Sequence, residues 1–161
     1  FEGTDHSTVD ELDLQRYMGT WYEIARFDHR FERGLSEVTA TYTLLPDGTV
    51  RVENRGCKHK KPYDVCKTAE GRAKVPDSSQ PGKLKVSFFL SFYSDYYVLE
   101  LDQEEYNYVL IGSSSDKYLW ILSRTPILPE EIKKKLLDAA IRRGYDVDKL
   151  IWVEQREKNF K

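Results

Sequence analysis

The sequence is poor in the residues that most often do chemistry. It has two cysteines, Cys57 and Cys66, and three histidines, His6, His29 and His59. The cysteine spacing matches neither a redox Cys-x-x-Cys pair nor a zinc pair. The histidines show no metal-ligand spacing and no Ser/His/Asp set is suggested, so no catalytic residue, metal or cofactor is assigned. Long apolar runs are also missing: none approaches the roughly 20 residues needed to span a bilayer as a helix. Neither sign of charge dominates, with Lys+Arg 25 against Asp+Glu 27 and a net charge of -2. The basic clusters Lys58-His-Lys-Lys61 and Lys133-Lys-Lys135 are short, which argues against nucleic-acid binding. There is no repeat and no low-complexity linker, so 161 residues read as one domain able to bury a sizeable core. A start at Phe1-Glu-Gly3, without methionine, reads as a mature or trimmed piece with any targeting segment out of view.

What the chain does have is aromatic residues, 13% in all, including 11 tyrosines. Tyrosine has an apolar body and a polar tip, which suits strands and pocket walls. Period-2 alternation recurs along the chain. Val38, Ala40, Tyr42 and Leu44 share one face of a predicted strand at 36–45. Val50, Val52 and Asn54 resume the pattern after the turn Pro46-Asp-Gly48, and Leu84, Val86 and Phe88 after the turn at 76–82. Further strands are predicted at 19–29, 66–75, 96–101, 106–112 and 117–123. Eight short strands argue for a sandwich or an up-and-down barrel. One helix is convincing. It starts at Pro129-Glu-Glu131 with acids in its first turn and ends at Arg142-Arg143-Gly144. Residues 150–153 form a ninth short strand.

Two motifs narrow the choice. Gly19-Thr-Trp21-Tyr22 opens the first strand, and Ser123-Arg124-Thr-Pro126 ends the eighth. With Lys85-Val-Ser-Phe-Phe89 and Ile151-Trp-Val153, in this order, they resemble the lipocalins over about residues 15–155. The branch they resemble is that of the bacterial outer-membrane lipoproteins, related to apolipoprotein D. A middle signature, at Leu101-Asp102-Gln-Glu-Glu105-Tyr106, keeps only its Asp and a Tyr. The resemblance implies an all-β fold, an eight-stranded antiparallel up-and-down β-barrel with one C-terminal α-helix packed outside and a short ninth strand. Its parts would be an arm at 1–15, the barrel at 16–127, the helix at 129–143 and the strand at 149–155. Trp21 would fill the narrow end, Arg124 would lie across its indole, and Gly19 would leave room for the crossing.

Placing Trp21 inward sets the expected interior by alternation. It adds Glu23, Ala25 and Phe27, then Ala40 and Tyr42, Val52 and Asn54, Val86 and Phe88, Val109 and Ile111, and Trp120 and Leu122. Residues 96–101 are ambiguous: Tyr96, Val98 and Glu100 compete with Tyr97, Leu99 and Leu101, and the family register favours the first set. The candidate ligand contacts are Phe27, Ala40, Tyr42, Val52, Asn54, Val86, Phe88, Val98, Val109, Ile111, Trp120 and Leu122. They form an apolar cup with a few polar tips, the make-up of a small-molecule site. Glu23 and Glu100 are read as ends of the barrel with a partner or solvent, or as anchors for a head group. Open-end loops at about 28–36, 57–63, 90–95 and 113–117 bring Phe31, Phe92 and Tyr93 beside Arg30, Arg33, Lys58, Lys60 and Lys61. Such a rim suits an anionic head group, a membrane surface or a partner protein. Cys57 and Cys66, both pointing outward on neighbouring strands, could approach closely enough across a hairpin to bridge, which would need an oxidising compartment.

The implied ligand is a small hydrophobic molecule, a fatty acid or lysophospholipid. The implied location is the outer membrane, as a periplasm-facing lipoprotein. A lipid-modifying enzyme of this fold and an interaction module with a filled barrel are the alternatives.

Overall fold

Alternating strands with one apolar face bury it most completely by closing on themselves, and that is the arrangement found. The computed structural model describes residues 3–89 and 92–156, and of the side chains of Phe89, Phe92 and Tyr93 nothing is described. The strands are β1 (Gly19–Phe27), β2 (Ser36–Leu44), β3 (Val50–Lys58), β4 (Val65–Lys74), β5 (Lys83–Phe89), β6 (Phe92–Leu101), β7 (Tyr108–Gly112), β8 (Trp120–Ser123) and β9 (Leu150–Trp152). Each of β1 to β7 pairs antiparallel with the next, and β1 pairs with β8 to close an eight-stranded barrel. The ninth strand attaches to the upper end of β1, where Ala25 lies opposite Trp152. Two short α-helices complete the fold, α1 (Leu14–Tyr17) and α2 (Glu130–Arg142). Among the described residues no helix is long and apolar enough to cross a membrane.

Turn chemistry sets one end of the barrel. The Asp47 carboxylate accepts the Thr49 N–H, and Gly48 sits at φ 86°, which an L side chain resists. Asp77 binds Ser79 in the same way, and Asp102 accepts the amides of Glu104, Glu105 and Asn107. The N-terminal arm runs along the outside, with the Val9 N–H bonded to the Val98 carbonyl. It then crosses this end as α1, capped by the Asp13 carboxylate on the amides of Gln15 and Arg16.

Two apolar cores result. One fills the barrel and includes Trp21, Ala40, Tyr42, Val52, Val98, Val109, Ile111 and Leu122. The other lies between the wall and α2, where Ile24, Leu99, Leu110 and Ile121 meet Leu136 and Ala140.

Among the described residues the register slips by one residue in β1, β2, β5 and β6, and the β-bulges in β1 and β6 change which residues face inward. In β1 the register slips between Glu23, opposite Leu122, and Ala25, opposite Ile121. Beyond that point alternation inverts. Ala25 and Phe27 turn to the helix-side core, and Arg26 turns inward opposite Trp120. The expectation that Phe27 faces the interior is therefore corrected: its ring packs with Tyr145, centroids 6.1 Å apart. In β6 the slip falls between Val98 and Glu100. Tyr96 and Val98 belong to the interior core, but so does Leu101, while Tyr97 and Leu99 face α2. Glu100 is held on the outside by Arg143, whose Nη2 lies 2.8 Å from its carboxylate.

Candidate functional site

The closed end is built around Trp21, which is fully buried. Its indole N–H donates to the Tyr17 carbonyl at 2.9 Å. The Arg124 guanidinium lies 3.8 Å from the centre of the Trp21 rings. Arg124 also donates to the carbonyls of Arg16, Thr20 and Tyr106, so one side chain ties α1, β1 and the turn before β7 together. A Cβ at Gly19, where φ is 101°, would sit 3.3 Å from Arg124 Nη1. The absent side chain and the crossing guanidinium are the same requirement.

Directly above this floor is a row of three hydroxyls. Tyr17 and Tyr42 both bond to the Tyr96 hydroxyl, at 2.6 and 2.8 Å. Burial, which disfavours the charged form, pushes all three phenols above their usual range. The Tyr42 hydroxyl, read as a polar tip for a ligand, is thus already engaged by Tyr96. Beside the row is an enclosed pocket of about 10 Å³, lined by residues such as Leu14, Met18, Val50, Leu84 and Val86. That is room for a single water, so the floor is packed solid.

Higher up, the wall changes character. Ala40, Val52, Val86, Val98, Val109, Ile111 and Leu122 are buried in one interior cluster, and Phe88 and Trp120 pack against it half-exposed. Asn54 is half-buried, and its partner across β4, Ala69, is exposed. The paired residues of β4 and β5 are only Arg72 to Lys74 with Lys85 to Ser87. Residues 65–70 of β4 are all exposed and have no β5 partner among the described residues. At Gly71 a Cβ would fall 2.4 Å from the Ser87 carbonyl and 2.7 Å from the Phe88 ring. Glycine is what lets Phe88 lie flat across the wall.

The mouth holds a buried polar cluster. Arg26 Nη1 donates to Glu23 at 2.9 Å, and Nη2 donates to the carbonyls of Glu32 and Leu35 in the loop between β1 and β2. The Glu32 carboxylate turns down into the barrel. It accepts the Trp120 indole N–H at 2.9 Å and the His29 ring Nε2–H at 2.6 Å, with Arg26 Nη1 at 3.9 Å. Burial, then the Glu32 charge, pushes Glu23 well above the usual carboxyl range, against the pull of Arg26. Burial opposes ionisation of Glu32 too, but hydrogen bonds from His29, Glu23 and Trp120 outweigh it and hold its pKa at about 2. The two acids are pushed in opposite directions: Glu23 towards its neutral form, Glu32 towards the charged form that faces Arg26.

Alternation had placed Trp120 and Glu23 inward but had no claim on Arg26, His29 or Glu32. Two signals pointed to them. A buried acid on an apolar wall needs a cation, and an inward indole N–H needs an acceptor.

The rim carries exposed Phe31 and Tyr63. Arg30 lies over the Phe31 ring at 5.0 Å, and Arg33 pairs with Asp28 at 3.1 Å. Residues 90–91 of the expected aromatic loop lie outside the described residues, as do the side chains of Phe92 and Tyr93. Cys57 and Cys66 face each other on β3 and β4 and form a disulfide with S–S 2.07 Å. His59 sits nearby between Glu37 and Asp64, at 3.1 and 2.9 Å. Among the described residues no group of three or more His, Cys, Asp or Glu side chains is placed to hold a metal ion.

Comparison with known proteins agrees with this architecture. The family profile described as a lipocalin-like domain matches residues 12–155. The outer membrane lipoprotein Blc of Citrobacter freundii is 48% identical over 149 residues, covering 92% of this chain and 82% of that one. Apolipoprotein D of Mus musculus is 33% identical over 154 residues, covering 91% of this chain and 78% of that one. Among solved structures, insecticyanin from Manduca sexta shares the fold with a TM-score of 0.77 at 22% identity, covering 95% of this chain and 86% of that one.

Proposed function

Because the chain belongs to the lipocalin-like family, we propose that it binds and carries a small hydrophobic ligand, a fatty acid or a lysophospholipid. The observation that carries the reading is the gradient along the barrel. A solid floor at Trp21 gives way to an apolar middle and then to an upper β4 edge that has no β5 partner among the described residues. The acyl chain would lie against Ala40, Val52, Val86, Phe88, Val98, Val109, Ile111 and Leu122. Each methylene moved there from water contributes about 0.8 kcal/mol, so chain length is the main source of affinity. Asn54 and Trp120 would meet the polar end. Tyr42 would close the bottom of the cavity through its ring. A protein of this kind acts by binding and release, not by catalysis.

The likeness to a protein named as an outer membrane lipoprotein supports placing this one at the outer membrane, facing the periplasm. The disulfide supports the same placement, because such bonds persist in oxidising compartments. Phe31 and the rim cations would then lie where a membrane surface could touch them.

The test is native mass spectrometry of gently purified protein, followed by titration with fatty acids and lysophospholipids read by tryptophan quenching. Co-purified or added acyl ligand at one per chain is the expected result. A barrel that arrives empty and accepts no acyl ligand would leave the filled-barrel interaction module as the better account.

A further inference from the structure

We infer that Glu32 is a tethered carboxylate occupying the head-group site of the ligand, and that Trp120, His29 and Arg26 form a receptor for the carboxylate of a long-chain monocarboxylic acid. The inference rests on the carrier reading above and says which of its ligands the mouth is built to recognise.

The geometry points to a binding site more than to a structural ion pair. Two donors and a cation from different places converge on one carboxylate: an indole N–H from β8 at 2.9 Å, an imidazole from the start of the loop at 2.6 Å, and a guanidinium from β1 at 3.9 Å. Glu32 does not exhaust them. Arg26 Nε and His29 Nδ1 are both buried without a hydrogen-bond partner among the described residues. Buried polar groups are nearly always paired, so the unused Arg26 Nε–H beside this carboxylate marks capacity for another acceptor.

The site also lies where a head group would arrive. Trp120 packs against the apolar interior, and Glu32 covers it from the open end. A fatty acid with its tail on Val109, Ile111 and Leu122 would present its carboxylate to the same donors.

Exchange would not require the loop to unfold. Arg26 holds the backbone of the loop through the carbonyls of Glu32 and Leu35, at 2.7 and 3.1 Å. The Glu32 side chain can swing away while its main chain stays in place. One carboxylate replaces another, so the charge on Arg26 remains balanced. The internal carboxylate, held at high effective concentration, competes with that of the ligand. The intact protein should therefore gain little from a ligand's carboxylate.

The experiment compares a long-chain fatty acid with the fatty alcohol of the same length, in the full chain, at about pH 8 where the acid is ionised. The wild type should bind the two with similar Kd. In Glu32→Ala the acid should gain roughly tenfold or more over the alcohol, the size of one charge-assisted hydrogen bond. Glu32→Gln keeps the shape of the side chain and should move the ratio the same way by less, so the result stands even if the alanine variant folds poorly. Adding Trp120→Phe to Glu32→Ala should take part of that gain back. An acid-to-alcohol ratio equal in wild type and both Glu32 variants would overturn the inference while leaving the carrier reading intact. Binding of neither compound to any of these proteins would overturn the carrier reading itself, and this inference with it.

Discussion

Replacing Arg26 with methionine probes the buried cluster directly. Methionine keeps much of the bulk and removes the charge with every donor. Four acceptors then lose Arg26: the Glu23 carboxyl, now at 2.9 Å, the carbonyls of Glu32 and Leu35, at 2.7 and 3.1 Å, and the Glu32 carboxylate, at 3.9 Å. The Arg26 and Glu23 side chains are only 2% and 6% exposed, so water cannot take over. Removing one partner from a buried pair costs about 3–5 kcal/mol, a large share of the 5–15 kcal/mol typical of a domain. The cost should depend on pH. Glu23 already sits above its usual range, and without Arg26 it rises further. A carboxyl whose folded pKa exceeds its unfolded value contributes stability below the unfolded value and loses it as pH rises through the folded one. Arg26→Met should therefore lie nearest to wild type at about pH 5 and furthest from it at about pH 8. Urea denaturation followed by tryptophan fluorescence at both values measures this. Adding Glu23→Gln removes one of the stranded acids and should restore part of the loss, because the Glu32 carboxylate and both carbonyls stay without Arg26. A cost under about 1 kcal/mol, an equal cost at both pH values, or no recovery in the double variant would refute the reasoning.

Other outcomes follow from the floor and the rim. Trp21→Ala empties the fully buried centre of the closed end and leaves Arg124 without its ring, so urea denaturation should show a loss of about 3–5 kcal/mol. Replacing both Cys57 and Cys66 with serine frees a short hairpin, and the loss should be about 2–3 kcal/mol from the chain-entropy term. Reducing agent should lower the midpoint of the wild type by the same amount and leave the serine variant unmoved.

Much of the barrel was legible because alternation is a strong signal wherever one face is buried. Ala40 and Tyr42, Val50 and Val52, and Val109 and Ile111 all stand in the interior core that period-2 reading assigns them. The motif around Gly19, Trp21 and Arg124 was legible for a different reason: it resembles the lipocalin signatures, which imply the cation crossing the indole. What escaped was whatever breaks the period. A bulge adds a residue without any compositional mark, so Ala25 and Phe27 read as inward, whereas they face the helix-side core and Arg26 takes the inward place. The second bulge split the two competing faces of 96–101 between them. Glu32 escaped because it lies in a loop, where no periodicity tells a side chain that turns inward from one that turns to solvent. Its partners were the better clue, since neither Trp120 nor Glu23 can be buried alone.

The two cores give the barrel a thick wall and a thin one. Along β7 and β8 both faces are covered: Val109 and Ile111 look into the interior while Leu110 and Ile121 press on the helix side. Moving that wall means breaking two layers of packing at once. On the opposite side, β4 has water behind it and, above Gly71, no neighbour on its β5 edge among the described residues. Stiffness follows buried contact, so the container can change its volume in one direction only. A cargo that needs room would gain it by the thin wall bowing outward, while the thick wall keeps its shape and the floor stays packed.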